Sequence, residues 1–260
     1  MHDPSDETPP PARRRGIYLL PNLLTTAALF AGFYAIVAAM HDRFEAAAVA
    51  IFVAMVLDGL DGRVARLTQT QSDFGGQYDS LADMVSFGLA PALVMYAWSL
   101  DTLGKSGWVA AFVYTAGAAL RLARFNTQLG VMDKRYFQGL ASPSAAAVVA
   151  GLVWVGADQG IDGRDVRLLT FVVTVLVGLL MVSNLRYRSF KDLDMKNRIP
   201  FMVAVTVMLV FTVIFIQPPL VLFSLAALYA LSGMVMTALE LHRRRRDHRR
   251  QEEGGGAAPP

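Results

Sequence analysis

From residue 17 onward the chain alternates between apolar runs and short polar breaks. Eight runs stand out, at about 17–40, 45–62, 80–100, 107–125, 142–157, 166–185, 199–216 and 219–241. As helices rising about 1.5 Å per residue, most match the ~30 Å hydrocarbon layer of a bilayer, and 142–157 is the shortest. Gly and Pro mark the breaks, at Gly104 and Gly107, Gly160 and Gly163, and Pro218 and Pro219. Strand-type alternation is absent, which argues against a β-barrel. The pattern predicts an all-α, polytopic integral membrane protein of about eight transmembrane helices over 17–241. Residues 1–16, Pro-rich and polar, are expected to form a disordered N-terminal tail, and the basic segment 242–260 a disordered C-terminal one.

Composition supports the bilayer as solvent. Hydrophobic residues make up 54% of the chain and charged ones 17%, with a mean hydropathy of +0.41. A soluble domain carries about 25% charged residues. There is no cysteine, so disulfides, thiolate metal sites and Cys nucleophiles are excluded. The four histidines (His2, His41, His242 and His248) fall in the tails or a short break, which disfavours His-based triads and zinc sites. No Walker loop or dinucleotide fingerprint follows a strand pattern. With both termini on one side, 20 of the 24 Lys and Arg residues fall on that side. The exceptions are Arg43, Lys105, Arg164 and Arg167. This asymmetry places both termini in the cytoplasm. The final RRRRDHRR reads as a positive-inside stop signal, with a patch for anionic lipid headgroups as the rival. No nucleic-acid partner is expected.

One stretch breaks the hydrophobic rule: residues 58–83, DGLDGRVARLTQTQSDFGGQYDSLAD. Asp58 and Asp61 are spaced i, i+3 at the cytoplasmic end of the second run, and Asp79 and Asp83 i, i+4 at the start of the third. Each pair shares one helix face. Two antiparallel helices can aim both pairs at one spot, where protons or divalent cations must neutralise them. Oxygen-only ligands suit hard cations, Mg²⁺ first and Mn²⁺ or Ca²⁺ next. Arg66, about one turn past Asp61, is placed to meet a phosphate. A bland reading competes. Asp58-Gly59 and Asp61-Gly62 could form a loop at a helix end, and Asp79 could cap a helix.

The spacing D-x-x-D-G-x-x-A-R-x8-G-x3-D-x3-D is met by Asp58, Asp61, Gly62, Ala65, Arg66, Gly75, Asp79 and Asp83. It resembles the signature of the CDP-alcohol phosphatidyltransferase family, and the likeness to the family core covers roughly 17–146. Within the family, four stretches are similar to the phosphatidylserine synthases: LLPNLLTTAALFAGFYAI at 19–36, RLARFN at 121–126, FQGLASPSAAA at 137–147 and RYRSFKDLDMKNRIPF at 186–201. Ala141 departs from that subgroup, which commonly has Pro there.

The resemblance implies a lipid synthase at the cytoplasmic face of the cell (inner) membrane. It would move the phosphatidyl group of CDP-diacylglycerol onto L-serine and release CMP. By position, Asp58, Asp61, Asp79 and Asp83 would hold two divalent ions (Mg²⁺ or Mn²⁺), with Asp83 also the general base. Gly62, Arg66 and Ser72 would contact the CDP part, and Asn22 and Thr25 would line the cytidine side. The family likeness also implies a homodimer.

The acceptor side is read from spacing. Arg121 and Arg124, three residues apart, can both face the cavity and bind the serine carboxylate or a donor phosphate; alternatively they snorkel. Asn126, Ser142 and Ser144 could orient the ammonium, or simply pack spans closely. Two other functions compete. A sister transferase would share Asp58 to Asp83 and accept glycerol 3-phosphate, inositol phosphate or another alcohol. A cation or proton transporter would spread its acids along several spans; here they are bunched at one interface.

Overall fold

A computed structural model describes residues 19–70, 72–128, 136–188 and 201–254. The tail expected at 1–16 and most of the 186–201 stretch lie outside the described residues.

Two helices open the bundle, α1 (Leu19–Ala39) and α2 (Phe44–Leu67). A tight turn joins them, in which Asp42 takes the left-handed conformation (φ 57°). The Arg43 N–H donates to Ala38 O at 3.0 Å and the Asp42 N–H to Ala39 O at 3.1 Å, which satisfies the last carbonyls of α1. Small buried residues bring the pair together: Ala31, Ala35 and Ala38 on α1, Ala47, Ala50 and Ala54 on α2. In lipid, where apolar burial between helices gains little, such close backbone packing is what holds helices together.

Next comes a continuous rod. α3 (Asp73–Asp83) passes through a π-helical segment, Met84–Leu89, into α4 (Ala90–Trp98). A short 3₁₀ turn at Leu100–Leu103 leads to α5 (Lys105–Gln128). Then follow α6 (Ser142–Asp158), α7 (Arg167–Val182), α8 (Phe201–Ile216) and α9 (Pro218–Gly254). α2 packs on α6, α5 on α7 and α6 on α9. At the α5–α7 crossing the backbones touch, since a Cβ on Gly117 would collide with the Gly178 carbonyl.

With α3, the π segment and α4 counted as one rod, each of the eight apolar runs corresponds to a helix. Three differences are physical. α2 continues to Leu67, so the Asp-Gly pairs lie inside a helix rather than in a loop. The third rod begins at Asp73, because Ser72 caps it ahead of the apolar run. α9 carries helix through the basic segment to Gly254, where the sequence predicts a disordered tail. Among the described residues the fold is helical apart from one ribbon, in which β1 (Tyr136–Gln138) pairs antiparallel with β2 (Arg186–Arg188). No alternation in the sequence announced these two short strands.

Among the described residues three helices are long and apolar enough to cross a membrane: Leu19–Ala39, Asp73–Trp98 and Pro218–Met236. α6 and α7 are shorter apolar helices of 17 and 16 residues. α2 and α5 have the length, at 24 residues each, but their charged residues make them less apolar. The chain is a membrane protein with several candidate transmembrane helices. The start of α1, the end of α2, the start of α3, the end of α5 and the start of α6 meet at one end of the bundle, and the polar cluster lies there.

Candidate active site

The last turns of α2 present Asp58 and Asp61 on one face. Asp61 is buried against α1, and the Thr25 hydroxyl donates to its Oδ2 at 2.6 Å. Opposite them, α3 presents Asp79 and Asp83. Its N-terminus is set by Ser72, whose Oγ accepts from the Gly75 N–H at 3.0 Å. The cap is therefore Ser72; Asp79 stands further along the helix, free to face α2. Gly75 lets this end approach α1, because a Cβ there would lie 3.1 Å from Ser72 Oγ and 3.5 Å from Asn22 Oδ1.

The two helices thus converge their acids. Carboxylate oxygens of Asp58, Asp61 and Asp79 lie within 4.8 Å of one another. Asp83 is not in that trio; its carboxyl lies beside that of Asp58. So many carboxyls in one place repel unless a proton or cation intervenes. The donor set is all oxygen and all acidic, which fits a hard divalent ion such as Mg²⁺ or Mn²⁺.

Beside the trio is a cavity of about 270 Å³. Asn22 and Thr25 from α1, Gly62 and Arg66 from α2, and Ser72 before α3 line it, together with Asp61 and Asp79. The exposed Arg66 guanidinium lies over Gly62, 3.7 Å from where a Cβ would stand. Thr70 also lines the cavity and is buried. The sequence marks it only as one polar residue in a break. Its place follows from the close of α2, where Gln69 adopts φ 54° and the Thr70 N–H donates to Ala65 O at 3.1 Å.

Four of the five acceptor-side candidates, all but Ser144, make contacts that separate them. Arg121, near the end of α5, donates from Nη1 to Ser142 Oγ at 2.6 Å, and Ser142 is fully buried at the start of α6. The Arg121 Nε is buried with no hydrogen-bond partner among the described residues. This guanidinium lies within electrostatic reach of Asp83. Arg124 instead points to Asn184 at 3.4 Å, beyond the end of α7. Asn126 donates from Nδ2 to Ser80 Oγ at 3.1 Å and ties α5 to α3. None of the four lines the cavity beside the trio. Nothing in the sequence pairs Ser80 with Asn126, 46 positions apart.

The comparisons with known proteins agree in kind. A family model described as CDP-alcohol phosphatidyltransferase matches residues 18–239. A CDP-diacylglycerol–serine O-phosphatidyltransferase of Helicobacter pylori is 36% identical over 221 residues, which cover 84% of this chain and 91% of that protein. The protein of that name from Mycobacterium bovis is 39% identical over 185 residues, 67% of this chain and 63% of its own. That from Methanocaldococcus jannaschii is 37% identical over 142 residues, 55% of this chain and 63% of its own.

Proposed function

The chain belongs to the CDP-alcohol phosphatidyltransferase family, and from that premise we propose that it transfers the phosphatidyl group of CDP-diacylglycerol to L-serine, giving phosphatidylserine and CMP. The observation that carries the chemistry is the convergence of Asp58, Asp61 and Asp79 beside a cavity lined by Arg66. Serine as acceptor rests on the names of the relatives and on the subgroup stretches at 19–36, 121–126 and 137–147.

In this reading Asp58, Asp61 and Asp79 hold the divalent ions, two in number, with Asp83 completing the set. Bound there, the ions would draw negative charge off the diphosphate. The CDP part occupies the cavity. Gly62 leaves room for phosphate at the helix surface and Arg66 pairs with its charge. Ser72, which also caps α3, contacts the CDP part from the cavity wall, and Asn22 and Thr25 border the cytidine. The serine hydroxyl attacks the phosphorus that carries diacylglycerol. Its proton passes to Asp83, a transfer worth about 10²–10⁴-fold in rate. The new P–O bond forms as the bond to CMP breaks, and CMP leaves with the electron pair. Arg121, held on one side by Ser142, offers its spare N–H to the serine carboxylate. Arg124 and Asn126 border the same end of α5.

The same reading counts eight spans with both termini in the cytoplasm, on the distribution of Lys and Arg, and a homodimer, on the family likeness. Its test is direct. Purified protein is given CDP-diacylglycerol, Mg²⁺ and, in turn, serine, glycerol 3-phosphate and inositol phosphate. CMP and phosphatidylserine should appear with serine and vanish with a chelator. Asp83→Asn should abolish turnover in a protein that still folds. Turnover with another alcohol alone overturns serine as acceptor, and full activity of Asp83→Asn removes the base.

A further inference from the structure

The site described above draws its residues from α1, α2, α3, α5 and α6, and none from α7 to α9. One of them nevertheless reaches the site. α9 packs along α6, and the approach is close: a Cβ on Gly151 would lie 3.1 Å from Phe223 Cα. Phe223, Ala226, Tyr229 and Ala230 form one stripe against the buried core. From Phe223 to Tyr229 is six residues, about 9 Å of helix. Counting the same distance back along antiparallel α6 from Gly151 leads to Ala145, one turn from Ser142. Tyr229 thus arrives at the end of α6 where Arg121 meets Ser142. It is half-buried and within electrostatic reach of the Arg121 guanidinium.

A guanidinium has five N–H donors and no acceptor, so its direction is fixed only by acceptors around it. Ser142 Oγ supplies one, on one side. Asp83 lies on another, and is the group that must stay free to take a proton. A phenol oxygen on α9 is a neutral acceptor that can hold the guanidinium without competing for that proton. We propose that Tyr229 is a positioning residue that, with Ser142, aims Arg121 at the acceptor alcohol and so sets acceptor specificity. The C-terminal helix then closes the acceptor side, while the donor cavity between α1, α2 and α3 is built without it. This rests on the transferase reading above, in which Arg121 faces the acceptor.

The test is Tyr229→Phe, which removes one oxygen and keeps the ring packed between α6 and α9. Loss of a hydrogen bond to a charged group predicts a rise of about tenfold in KM for serine. KM for CDP-diacylglycerol should change less than about twofold, and the unfolding temperature should not move. The preference for serine over glycerol 3-phosphate should shrink in parallel. Tyr229→His, which restores a polar atom on a ring, should recover part of the serine KM; Tyr229→Leu should not. Unchanged kinetics in Tyr229→Phe overturn the proposal, as does an equal rise in both KM values. If the wild type uses another alcohol instead of serine, the serine reading fails alone, and the same split measured with that alcohol decides the role of Tyr229. If no alcohol releases CMP, both fall.

Discussion

A carboxylate 4% exposed, as Asp61 is, keeps its charge only if its surroundings replace the water it lost. Thr25 does part of this with a 2.6 Å hydrogen bond, from a residue that is itself 5% exposed. The bond gives Thr25 a part in orienting a carboxylate of the candidate metal trio, besides the place on the cavity wall expected from sequence. Partners of this kind change metal affinity about 10–100-fold when removed. Thr25→Val, which keeps shape and drops the donor, should therefore raise the Mg²⁺ concentration for half-maximal CMP release by about tenfold. KM for CDP-diacylglycerol should rise less. A Mg²⁺ titration identical to the wild type would reduce Thr25 to a wall residue. At this scale the sequence was informative about the acids and silent about their partners. Spacing alone aims Asp58, Asp61 and Asp79 at one point, but the pairing of Thr25 with Asp61 depends on how α1 lies across α2.

Among the elements, the π segment Met84–Leu89 has the largest consequence for the site, since it starts at the residue after Asp83. A π turn shifts the helix face and leaves backbone groups poorly paired, and such turns gather at functional sites. Here α5 pairs one backbone carbonyl of the segment, and the segment in turn donates to α1. The Tyr114 hydroxyl donates to Phe87 O at 3.0 Å, and Ser86 Oγ to Ala28 O at 3.1 Å. The offset lets Asp79 and Asp83 face α2 while Phe87, Val94 and Met95 stay fully buried. Tyr114→Phe would strand the Phe87 carbonyl at a cost of about 1–3 kcal/mol. That should lower the unfolding temperature by about 2–4 °C per kcal/mol and reduce turnover with it. Thr115→Val is the control and should do less, because Thr115 is 3.5 Å from Gly88 O and already donates to Ala111 O at 3.0 Å. The existence of this rod was legible as one apolar run at 80–100. Its true start and its π turn were not, because a polar cap at Ser72 and a hydroxyl on another helix decide them. For the same reason the bland reading of the Asp-Gly pairs failed: helix α2 runs through both.

Across the whole molecule, the charge pattern and the helix directions make one joint statement. Helices that alternate in direction put Arg63, Arg66, Arg121 and Arg124 at the end that holds the acids, and Arg43, Arg164 and Arg167 at the other. On the transferase reading, the lipid donor's nucleotide and the free amino acid must reach the acids from the aqueous side where both exist, which is the cytosol. The positive-inside bias points the same way from an independent cause, the cost of moving Lys and Arg across the membrane during insertion. The two arguments agree only if the end with Asp58 and Asp79 faces inward. The chain has no cysteine, so single cysteines report orientation without background. Asp162 and Gln77 are both exposed and sit at opposite ends of the bundle, Gln77 on α3 near the acids and Asp162 in the α6–α7 connection. In intact cells an impermeant maleimide should label Asp162→Cys and spare Gln77→Cys, and in inside-out vesicles the pattern should reverse. Labelling of Gln77→Cys from outside would place the acids on the wrong side for a cytosolic nucleotide, and the transferase reading would then have to explain how its donor reaches them.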